Sequence, residues 1–375
     1  MSEFQASNFK KENGGTPDLL GKTELTSSYF FVPPSGTTKE RPQSCAAGTL
    51  RFNTDIGTLE IYKGDTIGWE QIQRRESQYL GGGTGSNTGT GTRGVTAGGN
   101  TPTAQNKIEY VTIPTFGNTQ DFGDLLSANT AIAGLASNTR GIFQGGSNPN
   151  TNVIQFITIS SLGNAQDFGD ALKSCGHSAA LSNQVRGVVG GGGPTNAIDY
   201  ITIAQTGNAV DFGNLTAARK QLGGTASSPT RGLFMGGDTG SLTDVIDFIT
   251  IPTTGNAEDF GNLLFALIET KGVSSSTRAV MMAARTPSHI NTIQFVTIAT
   301  LGNARNFGDL TTADAYGNSA SASDCVRGVR MGGGNGNTNV IDYIMIATEG
   351  DAVDFGDLTT AQGEGAGCSN AHGGL

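Results

Sequence analysis

The sequence is poor in the groups that most site chemistry needs. Of 375 residues only 15% are charged, three are His (His177, His289 and His372), and Trp69 is the single Trp. The three His lie in distant segments, so a catalytic triad or metal centre would require a convergence that their spacing does not suggest. Four Cys, at Cys45, Cys175, Cys325 and Cys368, stand far apart with no CxxC pair. That excludes zinc ribbons and dense disulfide frameworks, and reads as small buried or free thiols. The formal charge of −9, without clustered Lys or Arg, excludes nucleic acid and anionic membrane as partners. No apolar run reaches the roughly 18 residues of a membrane span, which predicts no membrane insertion. Met1-Ser-Glu-Phe-Gln has no signal-peptide pattern, which predicts synthesis in a cytoplasm. Cofactor signatures are missing too. Gly89 to Gly94 matches GxGxxG, but no strand precedes it and no helix follows, as a dinucleotide site requires.

What is abundant is Gly, with 57 residues, against 36% hydrophobic residues. Low charge with high Gly argues against a helical or a solvated disordered chain, and suits short strands joined by tight turns. The chain repeats itself. A strand-like run, Ile198-Asp-Tyr-Ile-Thr-Ile203, leads into Thr206-Gly-Asn-Ala-Val-Asp-Phe-Gly-Asn-Leu215. The aromatic marker of that phrase recurs at Phe122, Phe168, Phe212, Phe260, Phe307 and Phe355, 44 to 48 residues apart. An Arg opening a Gly-rich apolar run keeps the same beat at Arg93, Arg140, Arg186, Arg231, Arg278 and Arg327. Repeats of this length set the architecture.

Residues 1–44 are polar, broken by Pro33-Pro34 and Pro42, with one apolar patch at Tyr29-Phe-Phe-Val32. They read as an extended arm that orders against a partner. Residues 45–80 hold a meander of three short strands, with Leu50/Phe52 and Leu59/Ile61 alternating and Trp69 on the third. About 25 residues cannot close a core alone, so copies are expected to bury the Trp69 and Leu/Ile faces against each other. Residues 81–92 are a Gly-rich linker by composition. The phrase Gly48-Thr-Leu-Arg-Phe-Asn-Thr-Asp55, then Glu60-Ile-Tyr-Lys-Gly64 and Trp69, after a Pro-rich segment, is similar to a module of bacteriophage tail-fibre and other virion appendage proteins, especially those of cyanophages. That resemblance implies a virion location and a homotrimer. Ile67-Gly68 before the Trp departs from it and lengthens the turn.

Each repeat in 93–375 carries four strand-like stretches: the Arg run, the Ile-x-Tyr/Phe run, the Asp-Phe-Gly phrase (Asn306-Phe-Gly in the fifth copy), and a stretch rich in Gly, Ala and Ser. Apolar residues on both parities of the second stretch, Ile246 and Phe248 against Ile249 and Ile251, predict a strand covered on both faces. Four strands in about 47 residues is the beat of a propeller blade. The Gly pairs, and Arg219 before its fourth stretch, resemble kelch repeats, although the kelch Trp is missing. The Thr-Gly-Asn-Ala-x-Asp-Phe-Gly phrase resembles repeats of cyanophage structural proteins. The expected fold is all-β: a six-bladed kelch-like β-propeller after a small β-meander trimerisation module and an extended N-terminal arm. The first repeat lacks an inner strand. Either 363–372 or 78–86 could supply it, and the former is preferred because Ala366 and Cys368 alternate.

Asp-Phe-Gly invites a protein-kinase reading, excluded by its six-fold recurrence and by the missing His-Arg-Asp phrase. The Phe is expected to wedge between blades, and the Asp to bond backbone amides. His372 stands near the place of the repeated Arg and reads as structural. No calcium ladder or singled-out carboxylate pair is visible, so no catalytic residue, metal or cofactor is assigned and the chain is read as a non-enzyme. The repeats differ most between their first and second strands, at 100–107, 147–152, 194–197, 238–244, 286–291 and 335–339. Such loops are where binding is commonly placed. Their polar residues suit sugar hydroxyls, which nominates Asn150, Asn152, Asp238, Asp244, His289, Asn291, Asn335 and Asn337. The expected function is a tail fibre or similar virion appendage that attaches to a host surface glycan or protein. Residues 1–44 would dock on other virion proteins. The alternative is a capsid fibre, decoration or tail connector protein without a receptor.

Overall fold

The structure, a computed structural model, describes residues 33–375 except 43–44, 56–57, 66–67, 72–91, 175, 194, 283, 287, 313–318 and 334–336. The chain divides into two compact units, Met1–Arg75 and Glu76–Leu375. The described residues form small β-sheets and one 3-10 turn. No helix among them is long and apolar enough to cross a membrane.

In the first unit, Leu50–Asn53, Thr58–Tyr62 and Trp69–Gln71 form the meander, paired antiparallel with Leu50 opposite Ile61 and Phe52 opposite Leu59. A fourth strand is added from the expected arm: Ser35–Gly36 pairs parallel to the first, and Thr38–Glu40 makes a 3-10 turn. The face it covers is the polar one. Glu60 and Asn53 are fully buried, with Glu60 accepting bonds from Arg41 and from Asn53 at 3.0 Å. Asp55 accepts the Thr38 amide at 2.8 Å, and Trp69 donates to the Pro42 carbonyl at 3.2 Å. Arg51, Asp55, Glu60 and Trp69 of the motif therefore hold the preceding Pro-rich segment, and Glu60 is paired as a buried carboxylate must be. This corrects the expectation for the meander. Trp69 packs beside Tyr62 on the segment-covered face, whereas Leu50 and Leu59, on the other face, are exposed.

The second unit contains six four-stranded antiparallel sheets, here sheets 1 to 6 in the order of their Arg strands. Sheet 4 is typical: Gly223–Ser227, Arg231–Met235, Val245–Thr250 and Glu258–Asn262, from inner to outer strand. The inner strand comes from the end of the preceding repeat, so each repeat spans two sheets. Sheet 1 has no preceding repeat. Its inner strand is Ala366–Ser369, paired to Arg93–Ala97 with Cys368 opposite Val95. The C-terminal stretch thus completes the first sheet. The second strands are buried on both parities, Ile246 and Asp247 alike.

Neighbouring sheets are joined by one bond set, used six times. The Gly of each turn equivalent to Thr206-Gly-Asn208 donates to the carbonyl of the preceding sheet's marker Phe, as Gly255 does to Phe212 at 2.9 Å. The turn's Asn accepts the amide two residues beyond that Phe, as Asn256 Oδ1 does from Asn214 at 3.0 Å. Sheet 6 makes the same bonds to sheet 1: Gly117 donates to Phe355, and Asn118 Oδ1 accepts the Asp357 amide. The contact leaves no room at the marker Gly. At Gly213, φ is +147° and a Cβ would lie 2.3 Å from the Gly255 carbonyl oxygen, which only Gly tolerates. The amides are capped by Asn (Asp351 in the last turn), not by the Asp before the Phe. The side chains of Asp121, Asp167, Asp211, Asp259 and Asp354 are exposed, which corrects the expected role of that Asp.

The marker Phe residues are all buried. Each meets the aromatic ring of its sheet's second strand nearly edge-on, as Phe212 meets Tyr200 at 5.9 Å. The repeated Arg completes the stack. Arg186 lies 4.8 Å over the Tyr200 ring and donates to the Ile251 carbonyl of the next sheet at 3.2 Å. Equivalent Arg–ring contacts occur in all six sheets, and Arg327 of sheet 6 reaches back to the Ile113 carbonyl of sheet 1. Edge-to-face pairs and cation–ring contacts each add about 0.5–1.5 kcal/mol beyond area burial, so this cluster is the principal packing unit.

Inner strands also bond in series. Ser227 Oγ donates to the Ser182 carbonyl at 2.9 Å, Ser274 to Ser227 at 3.1 Å, Ser323 to Ser274 at 3.1 Å and Ser369 to Ser323 at 2.6 Å. Ser182 donates to the Ala136 carbonyl at 2.7 Å. Gly134 and Gly367 bring the inner strands of sheets 2 and 1 together, since a Cβ on Gly134 would lie 2.5 Å from the Gly367 carbonyl oxygen. Residues of the inner strands of all six sheets line a cavity of ≈ 40 Å³.

Candidate functional site

Antiparallel order gives each sheet two ends. One carries the Thr-Gly-Asn turns and the tight turns from inner to Arg strand. The other carries the loops between first and second strands and the crossovers from outer strand to the next inner strand. Arg93, where the chain enters the first sheet, is at the turn end. The nominated residues are at the loop end.

Several of them are committed to the fold. The backbone carbonyls of Asn152, Asp244 and Asn291 accept the amides of Ala171, Leu263 and Leu310, fixing the start of the second strand to the end of the outer one. Asp238 caps the Gly240 amide at 2.8 Å and pairs with Lys220 at 3.3 Å. Those contacts, led by the Gly240 amide, hold its carboxyl below the usual range. Asn150 is exposed, and Asn337 is half-buried with φ of +66°. Asn335 lies outside the described residues. His289 sits in a short hairpin, Ala284–Arg285 with His289–Ile290, that pairs through Arg285 with Ile268.

Beneath the loops are buried groups that position them. Asp247 and Asp342, on second strands, pair with Arg219 and Arg330, and all four are essentially buried. Arg219 also donates to the Gly236 and Val245 carbonyls at 3.0 Å, and Arg330 to Gly332 at 3.0 Å, tying down the ends of two loops. The same position is Gln155 in sheet 2 and Gln294 in sheet 5. There the amide oxygen accepts a backbone N–H of the preceding sheet, from Leu126 and Leu264 at 2.8 Å. In sheet 3 Asp199 has Lys173 as its favourable charge, and burial raises its pKa.

The crossovers converge at the loop end of the sheets. Ala131, His177, Gln221, Glu269 and Glu364 each stand two residues before an inner strand and hold φ between +51° and +60°. Such φ values are uncommon for non-Gly residues and concentrate at sites under functional constraint. Gln221 donates to Glu269 Oε1 at 2.9 Å, and Arg285 lies 3.8 Å from its other oxygen. Lys271, beside this group, lines a pocket with His177, Gln221 and Glu364. Burial raises the Glu269 pKa, with Arg285 opposing, and lowers that of Lys271, opposed by Glu269 and Glu364. Burial also lowers that of His177, opposed by Glu364. The arrangement offers donors and acceptors side by side, which suits hydroxyl-rich ligands. The pocket itself, at ≈ 10 Å³, has room for about one water, so a larger group would rest on its rim among the loops. Of the nominated residues, His289 acts on this group, lowering the Glu269 pKa. The five crossover residues share one repeat phase yet differ in type, which is the signal in the sequence that could have marked them.

Among the described residues no cluster of three or more His, Cys, Asp or Glu side chains is arranged to hold a metal ion. Comparison with protein-family models and with curated proteins found no match to this sequence.

Proposed function

We propose that residues 93–375 form a six-bladed propeller whose loop end is a binding head, and that the chain is a subunit of a phage-type virion appendage serving host attachment. The propeller reading is supported by the inter-sheet bonds, which take the same form at all six junctions and return from sheet 6 to sheet 1. The binding reading is carried by one observation: packing at the turn end is the same in every repeat, while the loops at the other end differ in length and residue. Polar residues of the loop end, exposed Asn150 and His289 beside Glu269 among them, favour a hydroxylated surface glycan, bound rather than chemically altered. Homotrimerisation is supported by the exposed Leu50 and Leu59 on the meander, and three heads would add avidity to weak sites.

A second reading, a decoration or connector protein with no receptor, is favoured by the structural commitments of Asn152, Asp238, Asp244 and Asn291. One experiment separates the two. Purified wild-type protein and a variant with alanines at Asn150 and His289 are tested for binding to immobilised bacterial surface glycans and for competition with virion adsorption. Glycan binding weakened tenfold or more in the variant supports attachment. Absence of binding by the wild type contradicts it and leaves the connector reading. Light scattering of the intact chain reports the trimer.

A further inference from the structure

We infer that residues 370–375 are a clasp that holds the repeat array shut along the pairing of the last strand with the first. In sheets 2 to 6 the inner and Arg strands are joined by a tight turn, and the first turn residue caps the Arg amide. Asn183 Oδ1 does this for Arg186 at 2.8 Å, and Ser228 Oγ for Arg231 at 3.0 Å. In sheet 1 the two strands belong to opposite ends of the sequence, and Asn370 Oδ1 accepts the Arg93 amide at 2.9 Å. The capping bond survives without the turn, so this seam relies on noncovalent contacts alone.

The following residues then cross the turn end of the sheets and touch each remaining sheet. Cys325 of sheet 6 donates its thiol to the Ala371 carbonyl at 3.0 Å. His372 Nε2 donates to the Ala136 carbonyl of sheet 2 at 2.9 Å and lies 3.1 Å from Ser182 Oγ of sheet 3. Its Nδ1 accepts the Gly374 amide at 3.1 Å. Those two bonds select the neutral ring with its proton on Nε2. Gly373 passes so close to sheet 5 that a Cβ would lie 2.2 Å from the Ser275 carbonyl oxygen. At Gly374 a Cβ would lie 1.9 Å from the Ser182 carbonyl oxygen and 2.6 Å from Ser227 Oγ of sheet 4. Five residues, Asn370 to Gly374, thus contact all six sheets, and His372 lines the cavity between the inner strands from this end.

The clasp rests on the cyclic reading of the sheets but not on the binding reading, and hydrogen exchange on the full chain tests the two in turn. In the wild type, amides of Arg93–Ala97 and Ala366–Ser369 should exchange as slowly as those of Arg231–Met235. Fast exchange there would mean the seam is open and would overturn both the cyclic reading and the clasp. Gly374→Val, which cannot keep the tail in place, should speed seam exchange at least tenfold with Glu258–Asn262 unchanged. If that variant does not fold, Asn370→Ala and His372→Ala give the same readout in milder form. Unchanged seam exchange with a tail newly open to carboxypeptidase overturns the clasp, as does an equal rise in every sheet.

Discussion

The two ends of the sheets obey different rules. At the turn end the sequence repeats because one contact repeats: Gly on a Phe carbonyl, Asn on an amide, Arg over a ring and on the next sheet's carbonyl. At the loop end one backbone bond recurs, from the end of the outer strand to the residue before the second strand in sheets 2 to 5, but the side chains beside it differ from repeat to repeat. Sheets 4 and 6 use a buried Arg–Asp pair, sheets 2 and 5 a neutral Gln, and sheet 5 a hairpin over its crossover. Repetition in this chain marks the bonds that join sheets, and departure from it is concentrated at the loop end, in the loops and in the buried groups beneath them.

The comparison is sharpened first at Phe212, which is buried against Tyr200. Phe212→Ala should cost about 3–5 kcal/mol in denaturant unfolding, and an unchanged midpoint would remove the aromatic cluster from the account. At the loop end, Arg219→Met strands Asp247 without its partner and should cost about 3–5 kcal/mol. Adding Asp247→Gln copies the neutral arrangement of sheets 2 and 5 and should restore stability to within about 1 kcal/mol. If the double variant is as unstable as the single, the pair does more than balance charge.

The third prediction concerns pH. Burial lowers the His372 pKa from 6.5 to about 4, only partly opposed by its bond to Ala136. Between those values the unfolded chain binds a proton that the folded chain refuses. Stability is therefore flat above about pH 6.5 and falls as pH drops toward 4, by about 3 kcal/mol from this residue. His177 contributes in the same direction. Buried Glu269, Asp199 and Asp324, with raised pKa values, act oppositely. The difference between wild type and His372→Gln isolates the effect, and parallel pH profiles would contradict it. A smaller loss, about 1–2 kcal/mol, is expected for Arg186→Ala from its ring contact and carbonyl bond. Asn150→Ala, exposed in a loop, should change stability by less than about 0.5 kcal/mol.

Much of this was legible from periodicity. The strand beat, the burial of the Phe and Ile markers, and the choice of Ala366 and Cys368 for the first sheet all followed from residues recurring in phase. What was not legible depended on register across strands. Arg186 stands opposite Thr202, which carries its guanidinium over Tyr200; spacing along the chain does not reveal that. The Asn of the turn and the Asp beside the Phe are both short polar residues, and only the three-dimensional contact shows that the Asn does the capping. The Gln221, Glu269 and Glu364 group was hidden because its members come from different repeats and meet only where the crossovers converge. In the meander, alternation correctly gave two faces. It could not tell which one the Pro-rich segment covers, because buried Glu60 and Asn53 are polar residues that a pattern reading assigns to solvent.

The return of sheet 6 to sheet 1 is the claim on which the rest depends, and distances between outer strands test it directly. Spin labels at exposed Asp121, Asp167 and Asp354 occupy equivalent places in sheets 1, 2 and 6. The account predicts that the 121–354 separation matches the 121–167 separation. A linear array with sheets about 10 Å apart would instead put the first pair at roughly five times the spacing of the second, and that result would contradict it.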